Sequence, residues 1–141
     1  MKFYILFTII FIASKALGLT LPFGQQINIT RNMCFQTVGV SAENRQRIEN
    51  YDYPNTQETY RYMRCIFENL ELWSEANGIQ DQRINEILEG QRDRSNILDV
   101  VKGCNEESRT EDPDVWFYNT VDCIASNGNV GEVLENVFTA N

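Results

Sequence analysis

Apolar residues recur along the chain at three- and four-residue steps, between polar stretches rich in glutamine, asparagine and glutamate. β-Branched alternation is missing outside short apolar runs, so the pattern predicts helices and almost no strands. A first helix is expected over about residues 22–38, with Ile27, Phe35 and Val38 at its apolar positions and Cys34 among them. Ser41 offers an N-cap to a short polar helix ending near Asn50. Tyr53-Pro54 breaks the chain. Asn55 with Glu58 three residues on is a capping-box signal, and the longest helix is expected over about 56–76. Met63, Ile66, Phe67, Leu70 and Trp73 form its apolar stripe, while Arg61, Arg64, Glu68 and Glu71 lie off it. Asn77-Gly78 reads as its left-handed C-cap.

Shorter helices follow the same grammar. Residues 80–89 would bury Ile84, Ile87 and Leu88 and stop at Gly90. Ser95 would cap a helix with Ile97, Leu98, Val101 and Cys104 on one face. The stretch Glu106 to Asp114 reads as a solvated connector. Its acidic residues Glu106, Glu107, Glu111, Asp112 and Asp114 lack the alternating register and central glycine of a calcium-binding EF-hand loop. Pro113 behind Asp112 places a proline at the first helical position after a good N-cap. The helix it opens carries Trp116, Phe117, Val121, Cys123 and Ile124 as far as Asn127-Gly128. A last segment, Val130 to Phe138, turns Val133, Leu134, Val137 and Phe138 to one side. With no internal repeat or low-complexity segment, one domain is the economical reading.

The ends and the charge narrow the function. Lys2, the apolar run Phe3 to Ala13 and the small-x-small pattern Ala16-Leu17-Gly18 predict a signal peptide over residues 1–18, too short to span a bilayer. Residues 19–141 would then be the secreted, extracellular domain, with no stable membrane insertion. Losing Lys2 and Lys15 leaves 10 basic against 20 acidic side chains, a net charge of −10. Such a polyanion repels phosphate backbones, so nucleic acid is excluded as a partner.

Histidine is absent. That removes Ser-His and Cys-His nucleophile activation, the usual imidazole zinc ligands and the commonest general base, which argues against an enzyme. Only carboxylate-pair hydrolysis or a calcium site would remain open. It also removes the side chain whose charge ordinarily changes between pH 5 and 8, so any acid response must rest on carboxylates.

Four cysteines in an exported chain predict two disulfides, and the arithmetic allows three connectivities. No pair is CxxC, so neither a zinc knuckle nor a thioredoxin-like centre is supported. A glycosylation sequon, Asn28-Ile29-Thr30, falls within the first expected helix.

The spacings Cys34, thirty residues, Cys65, thirty-eight residues, Cys104, eighteen residues, Cys123 resemble those of the insect odorant-binding proteins. That family carries six cysteines on a bundle of about six helices. Here Arg61 stands where the second cysteine should be, in Arg61-Tyr62-Met63-Arg64-Cys65, and Asp114 where the fifth should be. Joint loss of both partners of one disulfide is the pattern of the four-cysteine, minus-C subgroup. The segment from Tyr53-Pro54 through Cys65-Ile66-Phe67 to Gly78 also looks like the corresponding stretch of fly members.

The resemblance implies an all-α bundle of six to seven helices, disulfides Cys34–Cys65 and Cys104–Cys123, and an apolar cavity that carries small hydrophobic molecules without a cofactor or metal. Opposite charges at the two vacated positions suggest an Arg61–Asp114 ion pair in place of the missing disulfide. Candidate wall residues are Met63, Phe67, Trp73, Leu88, Val101, Trp116 and Phe117, with Val137 and Phe138 as a C-terminal lid. An apolar stripe at helical spacing also serves as plain core. Tyr51, Tyr53, Tyr60, Tyr62 and Tyr118 supply phenols that could orient a ligand. No carboxylate lies on the main stripe of the central helix, which favours a neutral ligand over a cationic amine. The other reading is a salivary, venom or seminal-fluid scavenger built on the same fold.

Overall fold

The computed structural model describes residues 21–139, apart from the side chains of Glu135, Val137, Phe138 and Thr139. The expected signal peptide lies outside the described residues. Among the described residues, seven helices run in the order α1 (Phe23–Val38), α2 (Ala42–Glu49), α3 (Gln57–Asn69), α4 (Asp81–Ile87), α5 (Arg94–Glu107), α6 (Pro113–Ala125) and α7 (Gly128–Thr139). Between α3 and α4 lies a two-residue antiparallel ladder, β1 (Trp73–Ser74) with β2 (Gly78–Ile79), in the register Trp73 to Ile79.

Side-chain caps start three of the helices. Ser41 Oγ accepts from Asn44 N at 3.4 Å and so caps α2. Asp112 Oδ1 accepts from the amides of Asp114 and Val115 at 2.9 and 3.3 Å, ahead of Pro113 at the start of α6. At α3 the cap is Thr56 rather than Asn55, its hydroxyl accepting from Thr59 N at 3.2 Å. Glu58 does not close a capping box. It reaches across to α2, accepting from Ser41 N at 2.6 Å, from Ser41 Oγ at 3.0 Å and from Asn44 Nδ2. α5 starts behind Asp93, and Ser95 is its second residue rather than its cap.

The largest departure is the end of α3, which stops at Asn69 rather than near residue 76. Leu72 N donates to Phe67 O at 2.7 Å and Glu71 N to Glu68 O at 3.1 Å, the paired bonds of a Schellman ending. Glu71 takes the left-handed position with φ 61°, where glycine is the usual occupant. The turn has a packing reason. Leu70, Leu72 and Trp73 are all buried, and a continuous helix would direct Leu72 about 100° away from Trp73. The Asn77-Gly78 signal therefore turns the β1–β2 ladder instead of capping a helix. Gly78 has φ 74°, and a Cβ there would stand 2.6 Å from Trp116 Cζ2 and inside Asn105 Oδ1. Asn105 holds this ladder, accepting from Ile79 N and donating to Asn77 O, both at 3.1 Å.

Two disulfides join neighbouring helices. Cys34–Cys65 ties α1 to α3 and Cys104–Cys123 ties α5 to α6, with Cα separations of 5.8 and 5.7 Å. Beside the first, a small cluster of Cys34, Phe35, Ile48 and Tyr62 is buried, with Phe35 stacked on Tyr62 at 4.3 Å. The main core also packs against α3 and runs from Ile27 to Leu134, through Leu72, Trp73, Leu88, Ile97, Val101, Trp116 and Phe117. Met63 and Ile66 of α3 touch both clusters.

At the positions of the missing third bridge, Arg61 Nε lies 3.5 Å from Asp114 Oδ2, as the opposite charges suggested. The nearer contact comes from the next turn, Arg64 Nε to Asp114 Oδ1 at 3.0 Å. That approach is Coulombic, because the N–H is not aligned on Oδ1, which accepts no hydrogen bond. Arg64 also meets Glu75 at 2.8 Å and Glu68 at 3.7 Å. An ion-pair network therefore spans α3 and α6 without a covalent link. Burial raises the Glu68 pKa, Arg64 opposes that shift, and Glu75 and Asp114 add to it.

Candidate functional site

A cavity of about 600 Å³ opens beside α3, bordering the Cys34–Cys65 cluster through Met63 and Ile66. Its volume lies within the range of small-molecule sites. α3 supplies Met63, Ile66 and Phe67, spaced i, i+3 and i+4 so that they share one face. Ile79 and Ile84 add a wall from β2 and α4, and Val101 another from α5. Val121 and Ile124 of α6 close the side, and Gly128, Gly131 and Leu134 show that α7 borders the space.

Polar groups on the lining are few, and Arg31 and Tyr51 sit together. Arg31 lies one turn after Ile27 on α1, and the α1 face they share borders the cavity. Arg31 Nε donates to Tyr62 Oη at 3.4 Å, and its guanidinium lies 5.7 Å from the Tyr51 ring centroid. Tyr51 and Tyr53, from the loop between α2 and α3, also line the cavity and are exposed, so they mark its mouth. Glu132 of α7 is the carboxylate among the described lining residues. Burial works against the Arg31 charge, yet the phenols of Tyr62, Tyr53 and Tyr51 raise its pKa above the ordinary value. Burial also raises the Tyr62 phenol, with Arg31 opposing it.

Of the candidate wall residues, Met63, Phe67 and Val101 stand on the cavity. Trp73, Leu88, Trp116 and Phe117 do not; they are buried at 0–3 % exposure in the core behind it. Their reason for burial is one another. Trp73 meets Trp116 edge-on at 4.8 Å and Phe117 at 5.2 Å, and Phe117 meets Phe67 at 5.1 Å. Phe67 is therefore the ring that transmits this aromatic block to the cavity wall. The side chains of Val137 and Phe138 lie outside the described residues, although their helix is the one that borders the space.

The wall residues not singled out by sequence had partial signals. Ile27, Ile66, Ile84, Val121, Ile124 and Leu134 were legible as buried helical positions, with nothing to separate wall from core. Arg31 had only its i+4 spacing from Ile27.

Among the described residues no group of His, Cys, Asp and Glu is gathered in a way that would hold a metal ion, and no helix is long and apolar enough to cross a membrane. Glu106, Glu107, Glu111 and Asp112 are exposed, and Asp114 turns inward to the arginines of α3.

Fold and site define a disulfide-stapled helical bundle around an apolar cavity with a polar mouth. The chain belongs to the PBP/GOBP family, which residues 19–127 match. That family consists of carriers of small hydrophobic molecules, and the two disulfides with four cysteines fit its four-cysteine subgroup. The chain is also similar to odorant-binding protein 22 of Aedes aegypti, at 21% identity over 117 residues, covering 82% of this chain and 84% of that protein.

Proposed function

We propose that this protein is a secreted, non-enzymatic carrier that reversibly holds one small hydrophobic molecule in the cavity beside α3. The observation that carries this reading is the wall itself: Met63, Phe67, Ile84, Val101, Ile124 and Leu134 present apolar surface to a space of about 600 Å³. Removing a ligand's apolar surface from water there favours binding by about 25 cal/mol per Å². The few polar groups at the mouth would orient a ligand without binding it irreversibly. Membership of a carrier family and the two disulfides support both the binding role and the extracellular address.

Titrating the protein with phenylnaphthylamine, whose emission rises in apolar surroundings, tests the reading. Saturable binding at one site is expected, with competitive displacement by unlabelled apolar molecules. Emission that rises only linearly with protein concentration would refute it. Mass analysis of protein secreted from insect cells should place the mature N-terminus at Leu19.

A further inference from the structure

Six of the ten described arginine and lysine side chains form ion pairs; Arg92, Arg94 and Arg109 are exposed without one, and Arg31 is partly buried without one. Arg45 meets Glu49, Arg47 meets Asp52, Arg61 and Arg64 meet Asp114, Arg83 meets Glu86, and Lys102 meets Asp81. Arg109 lies over the Trp116 ring at 5.1 Å. Arg31 is partly buried and borders an apolar cavity, yet no carboxylate of the described residues lies within ion-pair distance of it. Glu132, on the same lining, does not reach it.

A guanidinium moved out of water without a counter-charge is costly, and phenols offset that cost only in part. Tyr62 occupies one of its five N–H donors, which form a planar fork matched to the two oxygens of a carboxylate. Tyr51 and Tyr53 stand at the same mouth with hydroxyls that can donate.

From this juxtaposition we infer that the cavity selects an apolar chain ending in a carboxylate, with the headgroup paired to Arg31 at the mouth and the chain running along Met63, Phe67 and Val101. The inference rests on the carrier reading and deepens it. It also revises the neutral ligand expected from the central helix alone, because the deciding cation sits on a different helix.

The experiment compares dodecanoate, dodecanol and dodecylammonium as displacers of phenylnaphthylamine at neutral pH. The three share one chain and differ only in the headgroup. A hydrogen-bonded charge pair at a partly desolvated site should favour dodecanoate over dodecanol by roughly tenfold to a hundredfold, with dodecylammonium the weakest. Arg31→Met should bring the ratio of dodecanoate to dodecanol displacement down to about one, whatever it does to the two affinities together. Arg31→Lys, which keeps the charge but loses the fork, should retain part of the advantage.

Equal displacement by acid and alcohol in the parent protein would overturn the inference, as would an Arg31→Met protein that still prefers the acid. Helical circular dichroism shows whether each variant folds; if Arg31→Met does not, the parent's headgroup series and Arg31→Lys decide. A parent protein that binds phenylnaphthylamine but shows no headgroup preference sinks this inference alone. One that binds no apolar probe sinks the carrier reading as well.

Discussion

Replacing both Arg61 and Asp114 by cysteine should put a covalent link where the bundle now has an ion pair. The two positions are 53 residues apart in sequence, and their side chains already approach to 3.5 Å. On a chain-entropy argument, closing a loop of that length removes about 4 kcal/mol of unfolded-state freedom. The double substitution also removes the Asp114 contacts to Arg61 and Arg64. The Arg61 side chain is 55 % exposed, so that pair contributes no more than about 1 kcal/mol. Arg64 keeps Glu75 and Glu68 as partners. Asp114 further lies in the first turn of α6, where a carboxylate is worth about 0.3–1 kcal/mol against the helix dipole. The balance is a gain of about 2–3 kcal/mol, or roughly 10 °C in Tm for a domain of this size.

Thermal unfolding followed by helical circular dichroism should show that gain under oxidising conditions. Each single substitution, in contrast, should melt slightly below the parent. Peptide mapping establishes that the new bridge joins positions 61 and 114 and that the two existing disulfides are unchanged. A correctly bridged protein melting no higher than the parent would refute the claim that ion pairs have replaced an entropic constraint between α3 and α6.

The remaining predictions concern acid, core and tail. Glu58 has its pKa lowered below 4.5, first by the Asn44 hydrogen bond and then by those from Ser41. Its contribution is therefore present above the unfolded-state pKa and lost as pH falls through the lower folded value; Glu58→Gln should flatten the acid limb of a stability–pH profile below about pH 4.5, and an unaltered limb counts against it. Phe117→Ala, at 1 % exposure, should cost about 3–5 kcal/mol in denaturant unfolding, whereas Met63→Ala on the cavity wall should change phenylnaphthylamine affinity more than Tm. If both act alike, wall and core are not separate. Deleting residues 132–141 removes Leu134 from the wall and should weaken probe binding by more than it lowers Tm; unchanged binding would show that α7 is not part of the site. Probe affinity should stay nearly flat from pH 8 to about 5.5 with no histidine in the chain, and a tenfold drop between pH 7 and 6 with intact helices would contradict that.

Local order was legible in the sequence because its causes are local. The period of apolar residues and the Ser41 and Asp112–Pro113 caps pointed to the helices, and a family resemblance carried by the cysteine spacings pointed to the subgroup, without any tertiary information. The opposite charges at Arg61 and Asp114 likewise pointed to their contact. Where the reading failed, packing overrode propensity: α3 ends at Asn69 with Glu71 in a glycine-like conformation, since only that turn buries Leu70, Leu72 and Trp73 together. Periodicity says which face of a helix leaves water, but not what that face meets. Trp116 and Phe117 carry the same signal as Met63 and Phe67, yet the first two pack against Trp73 and the second two border a space that other side chains leave unfilled. A cavity is the shape left between elements distant in sequence, and so the convergence of Arg31, Tyr51 and Tyr53 on its mouth was decided by the tertiary structure alone.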